Sequence, residues 1–285
     1  MSDLYQEKDQ DYYSGVRFDL LTLFPPKQGL SILEVGAGSG ENLVYLKVKN
    51  IASKVVGVEK FLMENTMQQH EIIDSMIIAD LETDQLDLAE GSFDLILCPD
   101  VIEHLIDPWH VLEKLRKYLR PGGEILTSVP NIRFFKVLIS IILKGRFEYE
   151  TSGIMDRTHL RWFCRKDLIQ FLEQSGYRVT RASSDFEQRK EWSKKYIFNL
   201  LTFGLFKEFC IVQNFIAAKK LFKRFYSILI FKIPINSLII SFQKASSRLP
   251  TKIFFLPLKS RLHHSSHNPL YFQRRKFSFL VYIIV

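Results

Sequence analysis

Between Ser31 and about Thr127 the chain alternates short, uniformly apolar runs with segments in which apolar residues recur at helical spacing. Runs of that kind are strands buried on both faces, and the intervening segments are the helices that cover them. The pattern therefore predicts βαβ units and a parallel sheet. Strands are expected at SILEV, KVVGVE, SMIIAD, FDLILC and GEILTSV, with a helix from about Glu41 to Val48 after the first. Between the last two, DPWHVLEKLRKYLRPGG reads as a helix that opens at Asp107-Pro108 and stops at Pro-Gly-Gly.

Past Pro130 the texture changes. FFKVLISIILKGRF is an apolar stretch of helical length and EYETSGIMDRTHLRWF a polar loop, which together read as a helical lid insert over about 131–160. The apolar run from Phe134 to Leu143 is expected to be a packed helix rather than a membrane anchor. The alternation then resumes: RKDLIQFLEQSG is a helix with a glycine exit, YRVTRAS a sixth strand, and EFCIVQNFIAAKK a seventh placed to return antiparallel. The expected fold is α/β, a doubly wound, mostly parallel seven-stranded sheet in one domain over residues 1–220.

Residues 221–285 are a different kind of chain, with eleven Lys or Arg, no Asp or Glu and no glycine. The first 220 residues then hold 28 basic against 31 acidic side chains, a net −3, so the formal +8 belongs to the extension. A mildly acidic domain gives no electrostatic case for nucleic acid. Within the extension, apolar runs are broken by Lys232 and Pro234, and the final FSFLVYIIV falls short of the roughly 20 residues of a spanning helix. Two readings stand for this basic, apolar end: peripheral contact with an anionic membrane, or a disordered or out-of-frame segment.

Cys98, Cys164 and Cys210 are odd in number and lack C-x-x-C spacing, which argues against a disulfide framework and a zinc site. The start, MSDLYQEKDQDYY, has neither the basic nor the apolar region of a signal peptide, so a cytoplasmic location is expected.

The chemistry begins at ILEVGAGSGENL. Gly36, Gly38 and Gly40 stand in G-x-G-x-G spacing, one residue short of the G-x-G-x-x-G of dinucleotide sites, and Glu34 sits just ahead of them. A negative charge there disfavours a phosphate and favours a cationic ligand. In a doubly wound sheet the ligand lies beyond the carboxyl ends of the strands. Glu34, the glycines, Glu59 after the second strand, Asp80 after the third and Cys98-Pro99-Asp100 after the fourth are thus expected in one crevice. Glu59 is placed to accept two ribose hydroxyls, and Asp80 an adenine amino group with Leu81 over the ring. Glu34 is placed to receive an amino- or sulfonium-bearing group through backbone and water. That is a nucleoside with a cationic arm.

These residues, with ADLE around Asp80, the block FDLILCPDVIEHLIDPWHVLEKLRKYLRPGGEILTSVPN and the late DRTHLRWF, resemble the class I S-adenosylmethionine-dependent methyltransferases over roughly residues 10–219. The resemblance implies S-adenosylmethionine as cofactor, held by Glu34, Gly36, Gly38, Gly40, Glu59, Asp80, Leu81 and Pro99. It implies methyl transfer to a small-molecule or glycan-precursor acceptor, with a hydroxyl oxygen as the expected target. The stretch PNIRFF…GIMDRTHLRWF resembles a branch that accompanies bacterial surface-polysaccharide assembly, and Tyr13 and Arg17 resemble residues near the cofactor carboxylate. Two other functions are weighed: a scaffold of the same fold without catalysis in a glycan-assembly complex, and an NAD-linked oxidoreductase, which the glycine spacing disfavours.

Methyl transfer from a sulfonium is an in-line displacement, which needs alignment and, for a hydroxyl, loss of a proton, but no covalent intermediate and no metal. His104 and His159 are the expected bases, since histidine titrates near neutrality and both fall on active-site loops. Each has a structural reading too. His104 could pack the end of the fourth-strand loop, and His159 could pair with Asp156 or Asp167.

Overall fold

The apolar runs pair side by side because each needs cover on both faces, and the helices between them supply it. The computed structural model describes residues 8, 14–188, 194–221, 252–257 and 279–284. Its main sheet is built from β1 (Leu30–Val35), β2 (Ala52–Glu59), β3 (Ser75–Ile78), β4 (Phe93–Pro99), β5 (Leu119–Pro130), β6 (Tyr177–Ser184) and β7 (Gln213–Lys220). These seven strands lie in the order β3-β2-β1-β4-β5-β7-β6. Only β7 runs against its neighbours, so the sheet is doubly wound and mostly parallel, as the sequence pattern predicts.

The two-residue period of a strand sends alternate side chains to opposite layers. From β1, Leu33 and Val35 enter a cluster with Val111, Leu112 and Leu115 of α3 (Pro108–Tyr118) and Leu168 and Leu172 of α5 (Arg165–Gln174). Leu30 and Ile32 enter the other, with Leu20 of α1 (Phe18–Leu21) and Leu43 and Leu46 of α2 (Glu41–Val48). Helix α3 begins where expected, with the Asp107 carboxylate accepting from the His110 N–H at 3.1 Å and Pro108 in the first turn. Its exit differs: Leu119 is buried and already pairs with Phe93, so β5 takes up the Pro-Gly-Gly segment after a shift of register. At the end of α5, Gly176 adopts φ +85° against the Arg116 guanidinium, which a side chain would strike.

Two sequence readings are corrected in part. The insert after β5 contains α4 (Phe135–Lys144), but only one face of that helix packs. Phe134, Val137, Ile154 and Met155 form their own small cluster, while Ile142 and Leu143 are 72% and 77% exposed. One cluster of this size has room for a single face. The EFC of the expected seventh strand belongs to α8 (Lys207–Cys210), which follows α6 (Asp185–Gln188) and α7 (Lys194–Leu201). The strand starts at Gln213 because the Asp185 carboxylate accepts from the N–H groups of Val212 and Gln213, at 2.9 and 3.1 Å, and fixes its entry.

The chain divides into two units, Met1–Leu221 and Phe222–Val285. In the second, the described residues form an antiparallel pair, β8 (Lys252–Pro257) with β9 (Phe279–Ile284). The membrane, disorder and out-of-frame readings of the extension concern residues that otherwise lie outside those described. Among the described residues no helix is long and apolar enough to cross a membrane.

Candidate functional site

The sheet reverses direction at β1, with β2 on one side and β4 on the other. Chain leaving the carboxyl ends of these strands opens a crevice there. A cavity of about 390 Å³ fills it. Of the expected residues, Gly36, Gly38, Glu59, Asp80, Leu81, Pro99, His104 and His159 all line it, together with Arg17, Asp100 and Glu103.

The glycine loop is tight because it packs directly on the loop that follows β4. Gly36 has φ +65°, and a Cβ there would stand 2.4 Å from Cγ2 of Val101, in the loop that follows β4. The two loops touch only because one of them has no side chain. The Gly38 N–H donates to Oε2 of Glu59 at 2.8 Å, and the Lys60 N–H donates to Oε1 at 2.7 Å. Burial pushes the Glu59 carboxyl above its ordinary range, against the pull of these two donors. Each of its oxygens retains acceptor capacity. Gly40 is not on the cavity wall: it caps α2 at φ +85° and approaches the Met67–Gln68 backbone, so its lack of a side chain serves packing.

Glu34 also lies off the wall, wholly buried at the end of β1. Its Oε1 accepts from Asn42 Nδ2 at 2.6 Å, and its Oε2 has no hydrogen-bond partner among the described residues. Burial pushes its carboxyl up to about 8, with the Asn42 hydrogen bond and Arg17 pulling the other way. Asn42 continues the chain by accepting from the Arg17 N–H at 2.7 Å. Asp80 is opposite in character. Burial works to raise its carboxyl, but the Lys60 ammonium at 2.7 Å and the Glu82 N–H hold it below its ordinary range.

Arg17 crosses from the α1 side to the loop after β4. Its guanidinium meets Asp100 at 2.5 Å and Asp19 at 3.0 Å, and its Nη2 reaches Ser128 Oγ at 3.3 Å. Asp100 is held at φ +50°, an uncommon conformation for a residue with a side chain, and also accepts from Ser128 and Gln213. Tyr13, the other residue of that expectation, lies outside the described residues.

His104 and His159 stand together, with ring centroids 4.7 Å apart and planes at 67°. His104 Nδ1 is 3.1 Å from the Thr158 carbonyl oxygen and His159 Nδ1 is 3.1 Å from that of Ile154. A carbonyl oxygen only accepts, so both Nδ1 atoms carry the proton and both Nε2 atoms carry a lone pair. Burial, then the neighbouring His159, pushes His104 down to about 4, and burial lowers His159 as well. Two neutral imidazoles therefore face the cavity. The pairing of His159 with Asp156 or Asp167 is not formed, because its ring has taken a carbonyl and the Asp156 carboxylate is occupied by Thr158 and Lys8.

Glu103 is the residue that sequence reasoning missed. It is 1% exposed, and neither carboxylate oxygen has a hydrogen-bond partner among the described residues. Burial, reinforced by Asp100, pushes it well above the usual carboxylate range. Its backbone carbonyl accepts from the N–H groups of Leu160 and Arg161, at 2.8 and 3.1 Å, which ties the two histidine-bearing loops together. The Glu-His pair in PDVIEHL was the available signal.

The contact between the glycine loop and Val101 makes a prediction. Gly36→Ala lowers stability by about 1–3 kcal/mol, from a side chain at positive φ and a collision in a packed site. Urea unfolding followed by circular dichroism reads this as a lower midpoint at constant slope. An unchanged midpoint would mean that the loop bearing Val101 yields freely.

The profile of a family described as "Methyltransferase domain" matches residues 5–182, more than half of the chain. The mitochondrial ubiquinone biosynthesis O-methyltransferase of Dictyostelium discoideum is 26% identical over 171 residues, which cover 54% of this chain and 52% of that one. The ubiquinone biosynthesis O-methyltransferase of Coxiella burnetii is 24% identical over 157 residues, 53% of this chain and 65% of that one. The chain thus spans between about half and two thirds of the length of these curated relatives. Among solved structures, a SAM-dependent methyltransferase from Archaeoglobus fulgidus shares the fold at a TM-score of 0.50 and 20% identity, covering 77% of this chain and 99% of that one. The strand order, the glycine loop and the profile agree: this chain belongs to the methyltransferase-domain family, on a fold it shares with a solved SAM-dependent methyltransferase.

Proposed function

We propose that this chain is an S-adenosylmethionine-dependent enzyme that methylates a hydroxyl oxygen of a small-molecule acceptor, with Glu59, Asp80, Leu81 and Pro99 on the cofactor and His104 and His159 on the acceptor. The observation that carries the reading is that all six residues line one cavity. A methyl donor and an acceptor held there meet without either leaving the crevice. The O-methyltransferase names of the Dictyostelium and Coxiella relatives support oxygen as the target atom. The resemblance of PNIRFF…GIMDRTHLRWF points to a glycan precursor as the acceptor class. In this reading the enzyme works on the cytoplasmic side, and the eleven basic residues of 221–285 are its contact with an anionic membrane.

The division of labour follows from the charges. Glu59, already fixed by two backbone donors, accepts the ribose hydroxyls. Asp80 shares its charge with Lys60 and accepts the adenine amino group with what acceptor capacity remains. Glu34 lies behind the loop and favours the cationic arm of the cofactor by charge rather than by contact. On the acceptor side a neutral imidazole offers its Nε2 lone pair to the hydroxyl, whose oxygen forms the new bond to carbon as the carbon–sulfur bond breaks and its electron pair stays on sulfur.

Two measurements separate these roles. Glu59→Ala weakens S-adenosylhomocysteine binding by about 1–3 kcal/mol in titration calorimetry, because the ribose hydroxyls lose their acceptor in a partly dry crevice. An unchanged dissociation constant removes Glu59 from the cofactor site. At least one of His104→Ala and His159→Ala lowers kcat by about 100-fold or more, while affinity for S-adenosylhomocysteine stays nearly constant. Full turnover in both variants would take the histidines out of the reaction.

A further inference from the structure

Glu103, His104 and His159 each offer one ligand atom, and these atoms all lie within 4.8 Å of one another. We propose that the three side chains bind a divalent transition-metal ion on the wall of the catalytic cavity, and that this ion takes the acceptor hydroxyl as a further ligand. The second half rests on the O-methyl transfer reading; the first half does not. The proposal departs from the metal-free transfer that the sequence leads one to expect.

Four features of the site point to a cation. First, a carboxylate buried away from water needs a partner, and both oxygens of Glu103 lack one among the described residues. Second, two described cations of this region are already paired with other acids: Arg17 with Asp19 and Asp100, and Lys8 with Asp156. Third, both imidazoles are already set up as ligands. Each donates Nδ1–H to a backbone carbonyl at 3.1 Å, the outer contact that fixes the tautomer of a metal-binding histidine. Fourth, the two loops that supply the ligands are joined through the Glu103 carbonyl to the Leu160 and Arg161 N–H groups.

Geometry and donor type narrow the ion. Metal–nitrogen and metal–oxygen bonds of about 2.0–2.2 Å place neighbouring ligand atoms roughly 3–3.5 Å apart. Small side-chain rotations inward from the observed spread would close the set. Two imidazoles with one carboxylate suit manganese, iron, cobalt or zinc, whereas magnesium and calcium prefer oxygen ligands throughout. Three protein ligands leave coordination positions open, the arrangement of a catalytic rather than a structural site.

An ion here changes what the histidines do. With Nε2 on the metal, neither ring is available as a base. The acceptor hydroxyl on the ion is acidified and releases its proton to solvent. The oxygen then attacks the methyl carbon, the O–C bond forms, and the C–S bond breaks with its electron pair left on sulfur as the neutral thioether. An acceptor with a second oxygen next to the target hydroxyl would chelate the ion and be held in register.

The test uses the full chain, stripped with EDTA and dialysed. Titration with MnCl2, followed by loss of the free-ion electron paramagnetic resonance signal, should show one saturable site per chain, and Zn2+ should compete for it. Glu103→Gln and His159→Gln should each weaken Mn2+ binding at least tenfold. In the unsubstituted chain Mn2+ should raise the thermal unfolding midpoint, which guards against variants that merely misfold. Absence of saturable binding, or equal binding by both variants, overturns the site. S-adenosylhomocysteine binding measured in the same stripped samples keeps the two readings apart. If it binds while Mn2+ does not, the ion falls and the methyltransferase site stands. If Mn2+ binds but no hydroxyl acceptor, catechols included, is methylated, the site stands and the O-methyl transfer reading falls.

Discussion

The reversal of sheet order at β1 is the constraint on which the site depends. Because β2 and β4 flank β1, the loops leaving β1 and β4 are forced into contact, and a crevice remains between them. The contact at Gly36 and Val101 shows how little slack there is, since the missing Cβ would sit 2.4 Å from a methyl carbon. Given that geometry, the ends of β2, β3 and β4 deliver Glu59, Asp80 and Asp100 to the same small volume. The chemistry follows from which residues those are.

Glu34 and Glu103, two buried carboxyls with oxygens that find no hydrogen-bond partner among the described residues, express the same logic in different places. Burial of an acid is unfavourable unless something compensates it, so each marks a position where charge is expected to arrive with a ligand. Glu34 sits at the end of β1, two residues before the glycine loop, and Glu103 sits beside the two neutral imidazoles. Glu59 and Asp80 are compensated already, by backbone donors and by Lys60, and are suited to neutral hydrogen-bonding groups. The cavity thus presents different electrostatic surfaces to different parts of its contents.

Much of this was legible in the sequence, and the limits are physical. The strands were readable because a parallel sheet demands uniform apolar runs, and α3 because its apolar periodicity and its Asp107-Pro108 start agree, although its exit did not follow the Pro-Gly-Gly signal. The glycine loop, Glu59 and Asp80 were readable because strand ends converge whatever the side chains do. The one-sided packing of α4 was not, since periodicity shows that a helix has an apolar face but not whether a neighbour covers it. The Arg17–Asp100 pair and the meeting of His104 with His159 join positions far apart in the chain, and no local pattern encodes such distances. Glu103 looked like one more acid beside a histidine. Only its burial, with no hydrogen-bond partner among the described residues, sets it apart.

The central claim is that carboxyls at the strand ends hold a cationic nucleoside, S-adenosylmethionine. Calorimetric titration of the full chain with S-adenosylmethionine, repeated from pH 6 to pH 8 in buffers of different ionisation heat, tests it most directly. Burial pushes the Glu34 carboxyl up to about 8, so below that pH it is mostly protonated in the free protein. A cationic arm favours its ionised form, and binding must then expel a proton. The account predicts one site per chain, with affinity that rises with pH across this window and a measurable release of protons. Absence of binding, or binding that takes up protons and weakens as the pH rises, would contradict it.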